Sequence, residues 1–412
     1  MVARSAWGTS LDSCGTYTMR RRVAILTLSV GSGHLRASSV IESALRDGGD
    51  DLEVLLVDAV DLARGWFQWA YVGSYWWMLR YAPGAWRSLF ERRSRKLHHA
   101  TAPQWVFRWG CIKVLERFRA FSPELVIATE IGAVEIAALG KREGWFDAPL
   151  LAVQTDYHAE PPWVQTEVDY YCVGSEEART QLIAWGASMQ RILISGVPID
   201  PSFALRMDRA EVLRSLGLVH RKPVVLVMGG GMGPAPLDEI VRSLEQCDLP
   251  LQVIAIAGHN RAMRRRLERL RGRVALDLHI FGWTNRVMEL MASADLLVTK
   301  PGGVTVAEAL AAGVPLLLTE PIPGPEERHV HYLVEREAAV YAPSLAEIPK
   351  LASAVLTNPA RRARMVKRHR EMARPDAAHA IAQVARALME KTGYMDLVAI
   401  PPRRSGDSAY VM

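Results

Sequence analysis

The sequence predicts an α/β chain folded as two doubly wound lobes facing each other across a cleft. Three observations predict it. A β-rich apolar run, a glycine turn and a helical pattern follow one another near residue 31, again near 229 and again near 302. The apolar runs are continuous rather than alternating, as strands of a parallel sheet covered on both faces read. The chain has 412 residues, half of them apolar, which is enough for two cores of ordinary size. Gly196-Val197-Pro198-Ile199-Asp200-Pro201 supplies a stiff divide, so the lobes are placed at 21–198 and 199–374, with disordered tails expected at 1–20 and 397–412.

Composition narrows the class. No apolar run reaches the roughly 20 residues that cross a bilayer, and the opening segment lacks the apolar centre of a secretory signal. Cys14, Cys111, Cys172 and Cys247 are far apart with no CxxC, which argues against a zinc site or disulfide framework and suits the cytoplasm. The net charge of +6 is unevenly spread and points to an anionic partner, whether nucleotide, nucleic acid or membrane surface.

In chain order, residues 23–30 read as a central parallel strand ending in Gly31-Ser32-Gly33-His34, with a helix over 35–46. GxG alone is weak, since many βα turns carry it. His34 says more. At the mouth of a crevice a neutral imidazole can take a proton from a hydroxyl, although a lone histidine is more often a capping or core residue. Residues 52–57 close a βαβ unit. Residues 61–119 follow and hold seven of the twelve tryptophans: Trp66, Trp69, Trp76, Trp77, Trp86, Trp105 and Trp109. Tyr71, Tyr75, Tyr81, Phe67 and Phe90 join them, and from Arg80 to Arg119 ten Lys or Arg face only Glu91 and Glu116. Tryptophan beside arginine suits a membrane interface. Single-stranded nucleic acid, or an ordinary helical insertion with its aromatics in the core, fits the same composition.

Strands are placed at 123–129 and 149–155 around a helix at 132–141. The second ends in Thr155-Asp156-Tyr157-His158, with Trp163 beyond. A carboxylate and an imidazole past a strand's C-terminal end are well placed for chemistry, and an Asp there also commonly caps a turn. A short strand at 170–173 and a helix at 176–185 complete the first half.

The second half restarts the pattern with a helix at 208–216 and a strand at 223–228. Gly229-Gly230-Gly231-Met232-Gly233 puts four glycines in five residues, best read as close backbone approach to a ligand. A strand at 251–257, a basic helix at 261–271 with a solvated face, and a strand at 276–281 ending in Gly282-Trp283 come next. Residues 296–329 then read strand, Lys300-Pro301-Gly302-Gly303, helix over 304–312, Gly313, strand over 315–319. Bare amides at Gly302 and Gly303 and the positive end of the helix suit an anion. Glu308, one turn in, can accept two hydrogen bonds, as vicinal ribose hydroxyls would offer. Glu326 and Glu327 suit sugar hydroxyls. A tight turn with a solvated Glu fits the glycines alone equally well. A helix starts at 330, and His329 and His331, two apart, make a poor metal pair.

The motifs TKPGG-x-T-x-x-EA (from Thr299), MGGG-x-G-P (from Met228), G-x-G-H-x-x-A (from Gly31), T-D-x-H…W (from Thr155) and G-x-P-I-x-P (from Gly196) together resemble the diacylglycerol glycosyltransferases. These are the bacterial processive diacylglycerol glucosyltransferases and plant monogalactosyldiacylglycerol synthases of glycosyltransferase family 28. The resemblance covers roughly residues 22–374. It implies two Rossmann-like domains in a type B glycosyltransferase fold, with a final helix at 375–396 crossing back to the first domain. It implies phosphate contacts at Gly302, Gly303 and Thr305 beside Lys300, and Gly229, Gly230 and Gly231 bordering the diphosphate. Uracil would lie by Phe281, Gly282 and Trp283, ribose by Glu308, and the donor sugar by Glu326 and Glu327. Gly31, Gly33, His158 and Trp163 would serve the acceptor, with His34 or Asp156 as general base. The implied reaction is inverting, metal-independent transfer of a hexose from UDP-glucose or UDP-galactose to diacylglycerol or a related lipid. No cofactor is expected. The expected place is cytoplasmic, peripheral on the inner face of the cell membrane, with an anionic surface as partner and no nucleic acid. The family's P-G-Gln-E…Asn is here Pro323-Gly324-Pro325-Glu326…His329, so the hexose stays open. A polyprenyl or small-molecule acceptor, a nucleotide-sugar epimerase and a non-catalytic UDP-sugar sensor remain as alternatives.

Overall fold

The computed structural model describes residues 10–11, 17–18, 20–49, 51–95, 101–231 and 235–390. Among them are two six-stranded sheets, each parallel throughout. The first runs Leu52–Asp58, Arg21–Thr27, Leu125–Ala128, Leu150–Val153, Tyr170–Val173, Ile192–Ile194. The second runs Asp277–Phe281, Gln252–Ile256, Val224–Met228, Leu296–Thr299, Leu316–Leu318, Ala339–Tyr341. These strands are runs of Val, Ile and Leu because helices cover both faces and leave no polar side. Each sheet reverses direction of growth once. In the second sheet the reversal falls between Val224–Met228 and Leu296–Thr299, and the chain leaves these strands through the two glycine turns. A doubly wound sheet opens its ligand crevice at that point.

Each sheet carries a core on both faces. On one side of the first, Val23, Ile25, Ile41 and Leu45 pack with Ala378, Ile381 and Ala385. The latter belong to the last described helix, Ala377–Glu390, which follows the second lobe in sequence yet lies on the first. A further cluster spans the lobes, joining Ala37, Tyr157, Val197 and Ile199 to Leu226, Val304, Ala307 and Leu310. His329 stitches the same seam. Its Nδ1–H donates to the Pro301 carbonyl at 2.8 Å, and its Nε2 accepts from the Tyr157 amide at 3.2 Å. The ring is 1 % exposed, so both bonds are made out of water.

Three elements differ from expectation. Ser10–Leu11 pairs antiparallel with Tyr17–Thr18 inside the segment expected to be a disordered tail. The rest of 1–19, and the tail at 397–412, lie outside the described residues. The helix read as starting at 330 spans Pro325–Glu335. Proline at a helix's first position loses nothing, because the N–H there has no intrahelical acceptor. Glu327 at the third position accepts from the Gly324 amide at 2.9 Å. The described residues of 61–119, finally, form a chain of short helices, the longest of them Pro83–Arg95. Its phenylalanines Phe67, Phe90, Phe107 and Phe118 are buried, while Trp69, Trp77, Tyr81, Trp105 and Trp109 are exposed.

Candidate functional site

A cavity of ≈ 270 Å³ lies between the lobes, at the C-terminal ends of both sheets. From the first lobe it is lined by Gly31, Ser32, Gly33, His34, Arg36, Thr155 and Asp156, and from the insertion by Tyr75 and Trp76. The second lobe supplies Gly229, Gly230, Gly231, Trp283, Lys300, Gly302, Gly303, Thr305, Glu308 and Glu326.

The second-lobe wall is built for an anion. Gly302 caps helix Gly303–Ala312 with its backbone alone, so the amides of the first turn have no intrahelical acceptor. Those amides and the positive helix end give a fixed electropositive floor. Gly230 sits at φ +80°, a conformation that glycine adopts without strain. Gly303 has a second reason to be glycine. A Cβ there would overlap the Thr155 carbonyl oxygen, so the turn touches the opposite lobe. Gly231 likewise donates its N–H to Ser32 Oγ at 3.1 Å.

Charged side chains on this wall are paired with one another or with the opposite lobe. Lys300 Nζ donates to Glu326 Oε1, and Glu326 Oε2 accepts from the Ile322 amide at 2.9 Å. Arg36 reaches across from the first lobe, Nε to Glu308 Oε1 at 2.8 Å. Burial pushes the Glu308 carboxyl up to about 7, with the Arg36 guanidinium working against that and Asp200 adding to it.

On the opposing wall, His34 Nδ1 lies 2.8 Å from Thr155 Oγ1. Burial lowers its pKa below the usual histidine value, partly offset by the Asp156 carboxylate and the Thr129 backbone, so the ring is neutral at pH 7. Asp156 is 32 % exposed at the side chain and stands 3.5 Å from His329 Nε2. A neutral imidazole and an accessible carboxylate thus face one cavity from the same lobe.

Five sequence candidates lie off the cavity lining. His158 is buried, held at 3.1 Å by Arg328 Nη1, and its pKa falls to about 2 through desolvation and that cation. Trp163 packs in the first lobe's core. Both follow a strand end in sequence, but the chain turns inward after Asp156 and carries them under the lobe. Phe281 packs against the interlobe cluster and Gly282 lies beside Arg264, while of the three Trp283 alone reaches the cavity, stacked on His259 at 4.2 Å. Glu327 faces the insertion, bonded to Arg87 Nη2. Around it, Trp86 Nε1 donates to the Pro323 carbonyl at 3.0 Å and Phe90 fills the space a Cβ on Gly324 would take. The insertion thereby clasps the turn that carries Glu326. Sequence reading missed Ser32, Arg36, Tyr75 and Trp76 as lining residues. Only the position of Ser32 inside the glycine turn signalled one of them.

Comparison with known proteins bears on this geometry. Residues 34–199 match the family model for monogalactosyldiacylglycerol (MGDG) synthase, and 208–372 that for glycosyl transferases group 1. The processive diacylglycerol beta-glucosyltransferase of Bacillus cytotoxicus is 27% identical over 364 residues, covering 87% of this chain and 92% of the relative. That of Bacillus subtilis is 27% identical over 342 residues, covering 82% and 87%. Among solved structures, Acinetobacter baumannii MurG superposes with a TM-score of 0.59 at 15% identity, over 89% of this chain and 99% of that one. The S. aureus MnaA–UDP structure does so with a TM-score of 0.61 at 12% identity, over 92% and 98%. At such identities these two speak for the fold alone. The fold is that of the type B glycosyltransferases, and over most of its length the chain is similar to the diacylglycerol glycosyltransferases.

Proposed function

We propose that this chain transfers a hexosyl group from a UDP-sugar to the hydroxyl of a diacylglycerol-type lipid, at an anionic membrane surface on the cytoplasmic side. The observation that carries the reading is the opposition of two walls. Bare amides and the N-terminus of helix Gly303–Ala312 stand on one side, with His34 and Asp156 on the other. The relatives that match most of the chain carry the corresponding activity in their names.

The chemistry follows from the residues. The diphosphate lies against Gly302, Gly303, Thr305 and Lys300, with Gly229–Gly231 alongside. Ribose hydroxyls donate to Glu308, and hexose hydroxyls to Glu326. Trp283 supplies a face for the uracil. The acceptor oxygen attacks C1 of the hexose, its proton passing to Asp156 or His34. The C1–O bond breaks as the new bond forms, and the electron pair leaves with UDP. Inversion at C1 results. Amides already aimed at the leaving oxygens stabilise the growing charge without reorganising, so the scheme needs neither a metal nor a cofactor. Glucose and galactose differ at one hydroxyl. Pro325 begins a helix and lines the cavity beside Glu326, whereas His329 is an interlobe strut off the lining.

The exposed tryptophans of the insertion are the lipid-facing surface in this reading. Among the described residues no helix is long and apolar enough to cross a membrane. The test is incubation of the purified chain with UDP-glucose or UDP-galactose and diacylglycerol in phosphatidylglycerol vesicles, followed by mass spectrometry of the lipids. A hexosyl-diacylglycerol that disappears in Asp156→Asn supports the proposal. Release of free hexose or an epimerised nucleotide sugar, with no glycolipid, overturns it.

A further inference from the structure

We infer that Arg36 is a positioning residue for the donor: reaching from the opposite lobe, it keeps Glu308 aimed at the ribose hydroxyls and favours its charged form. This rests on the ribose reading of Glu308 and adds a residue to it.

The geometry comes first. Arg36 lies in the first turns of helix Ser32–Asp47, Glu308 in helix Gly303–Ala312, and both line the cavity. One hydrogen bond joins them, Arg36 Nε to Glu308 Oε1 at 2.8 Å, with side-chain exposures of 36% and 5%. Glu308 Oε2 has no hydrogen-bond partner among the described residues, so the bond fixes the carboxylate while leaving acceptor positions for a ligand. A bond through one oxygen steers a carboxylate without consuming it. Arg36 is steadied in turn by the ring of Phe203, 5.7 Å from its guanidinium carbon.

Charge comes second. The groups acting on the Glu308 carboxyl are Arg36, from the first lobe, and Asp200, from the segment linking the lobes. Burial and Asp200 both favour the protonated acid, and Arg36 alone of these opposes it. Without Arg36 the carboxyl would hold its proton to higher pH. A protonated carboxyl is a poorer acceptor for two hydroxyls. Because the cation comes from the acceptor lobe and the carboxylate from the donor lobe, nucleotide affinity is coupled to the lobes being together.

The experiment is titration calorimetry of UDP and 2′,3′-dideoxy-UDP, from pH 5.5 to 8.5, on wild type, Arg36→Met, Arg36→Lys and Glu308→Gln. Wild type should prefer UDP by at least about tenfold at pH 7, in the range expected for hydrogen bonds to a charged acceptor. Arg36→Met should lose most of that preference at pH 7 and regain it only at higher pH. Arg36→Lys should keep an intermediate preference. A merely structural role would weaken both nucleotides equally and leave their ratio unchanged. A wild-type ratio and pH profile in Arg36→Met would therefore overturn the inference while the ribose reading stands. If wild type shows no preference, or Glu308→Gln keeps it, the ribose reading fails and the inference falls with it.

Discussion

The tryptophan surface of the insertion gives a number that can be checked. Trp77 is 59% exposed and Trp105 60% exposed. Each is flanked by another ring, Trp77 by Tyr81 at 5.9 Å and Trp105 by Trp66 at 6.2 Å. A tryptophan side chain offers on the order of 250 Å², so each presents about 150 Å² to solvent. At roughly 25 cal/mol per Å², complete burial would contribute about 4 kcal/mol per ring. Immersion to headgroup depth, covering about half, leaves about 2 kcal/mol each. Replacing both by serine should thus cost about 4 kcal/mol of membrane partitioning, or roughly a thousandfold. The arginines and lysines nearby add on the order of 1 kcal/mol each, a part that salt should screen. The assay is co-sedimentation with phosphatidylglycerol-rich vesicles at low and high salt. Wild type should pellet with vesicles, less so at high salt, and Trp77→Ser/Trp105→Ser should stay in the supernatant. A double variant that pellets like wild type would refute the assignment of this face to lipid.

Two further outcomes test the site. Gly303→Ala sets a methyl against the Thr155 carbonyl across the lobe interface. An overpacked contact costs about 1–3 kcal/mol, so its Tm by calorimetry should fall and its transfer rate should drop at least tenfold; unchanged values would contradict the close approach. His34 has its pKa lowered by burial. If it is the base, the acid limb of kcat/KM should lie below pH 6.5, because only the neutral ring accepts a proton and a lower pKa keeps it neutral to lower pH. His34→Ala should lose about 10²–10⁴ in rate; an acid limb above 6.5, or a fully active variant, would take His34 out of that role.

Much of the architecture is legible in the sequence because local signals and tertiary demands agree. Continuous Val, Ile and Leu runs such as Val224–Met228 require cover on both faces, and the glycine turns after them require a crevice. His34, Asp156, Lys300 and Trp283 reach one cavity because each follows a strand end, where doubly wound sheets gather their loops, and Glu308 joins them from the helix that the Lys300 turn opens. The same rule misplaces His158 and Trp163. Distance past the strand in sequence says nothing of the turn that buries them. Arg36 was illegible for a different reason. An arginine one turn into a helix reads as solvated until the partner carboxylate, 272 residues away, is seen beside it. The acidic pair was half-read. Glu326 lines the cavity, but Glu327 at the third helical position serves the helix start that Pro325 begins. Pro325, a departure from the family's motif, costs nothing where it stands, because a first helical position needs no N–H donor. His329 shows the limit most plainly. A substitution in a sugar-binding motif turns out to occupy the seam between lobes, with both ring nitrogens engaged by backbone.

Co-crystallisation of the chain with UDP tests the central claim most directly. The account expects electron density for the diphosphate against the amides of Gly302 and Gly303, with the ribose on Glu308 and His34 and Asp156 facing it across the cleft. Nucleotide bound elsewhere, or density absent at saturating UDP, would contradict it.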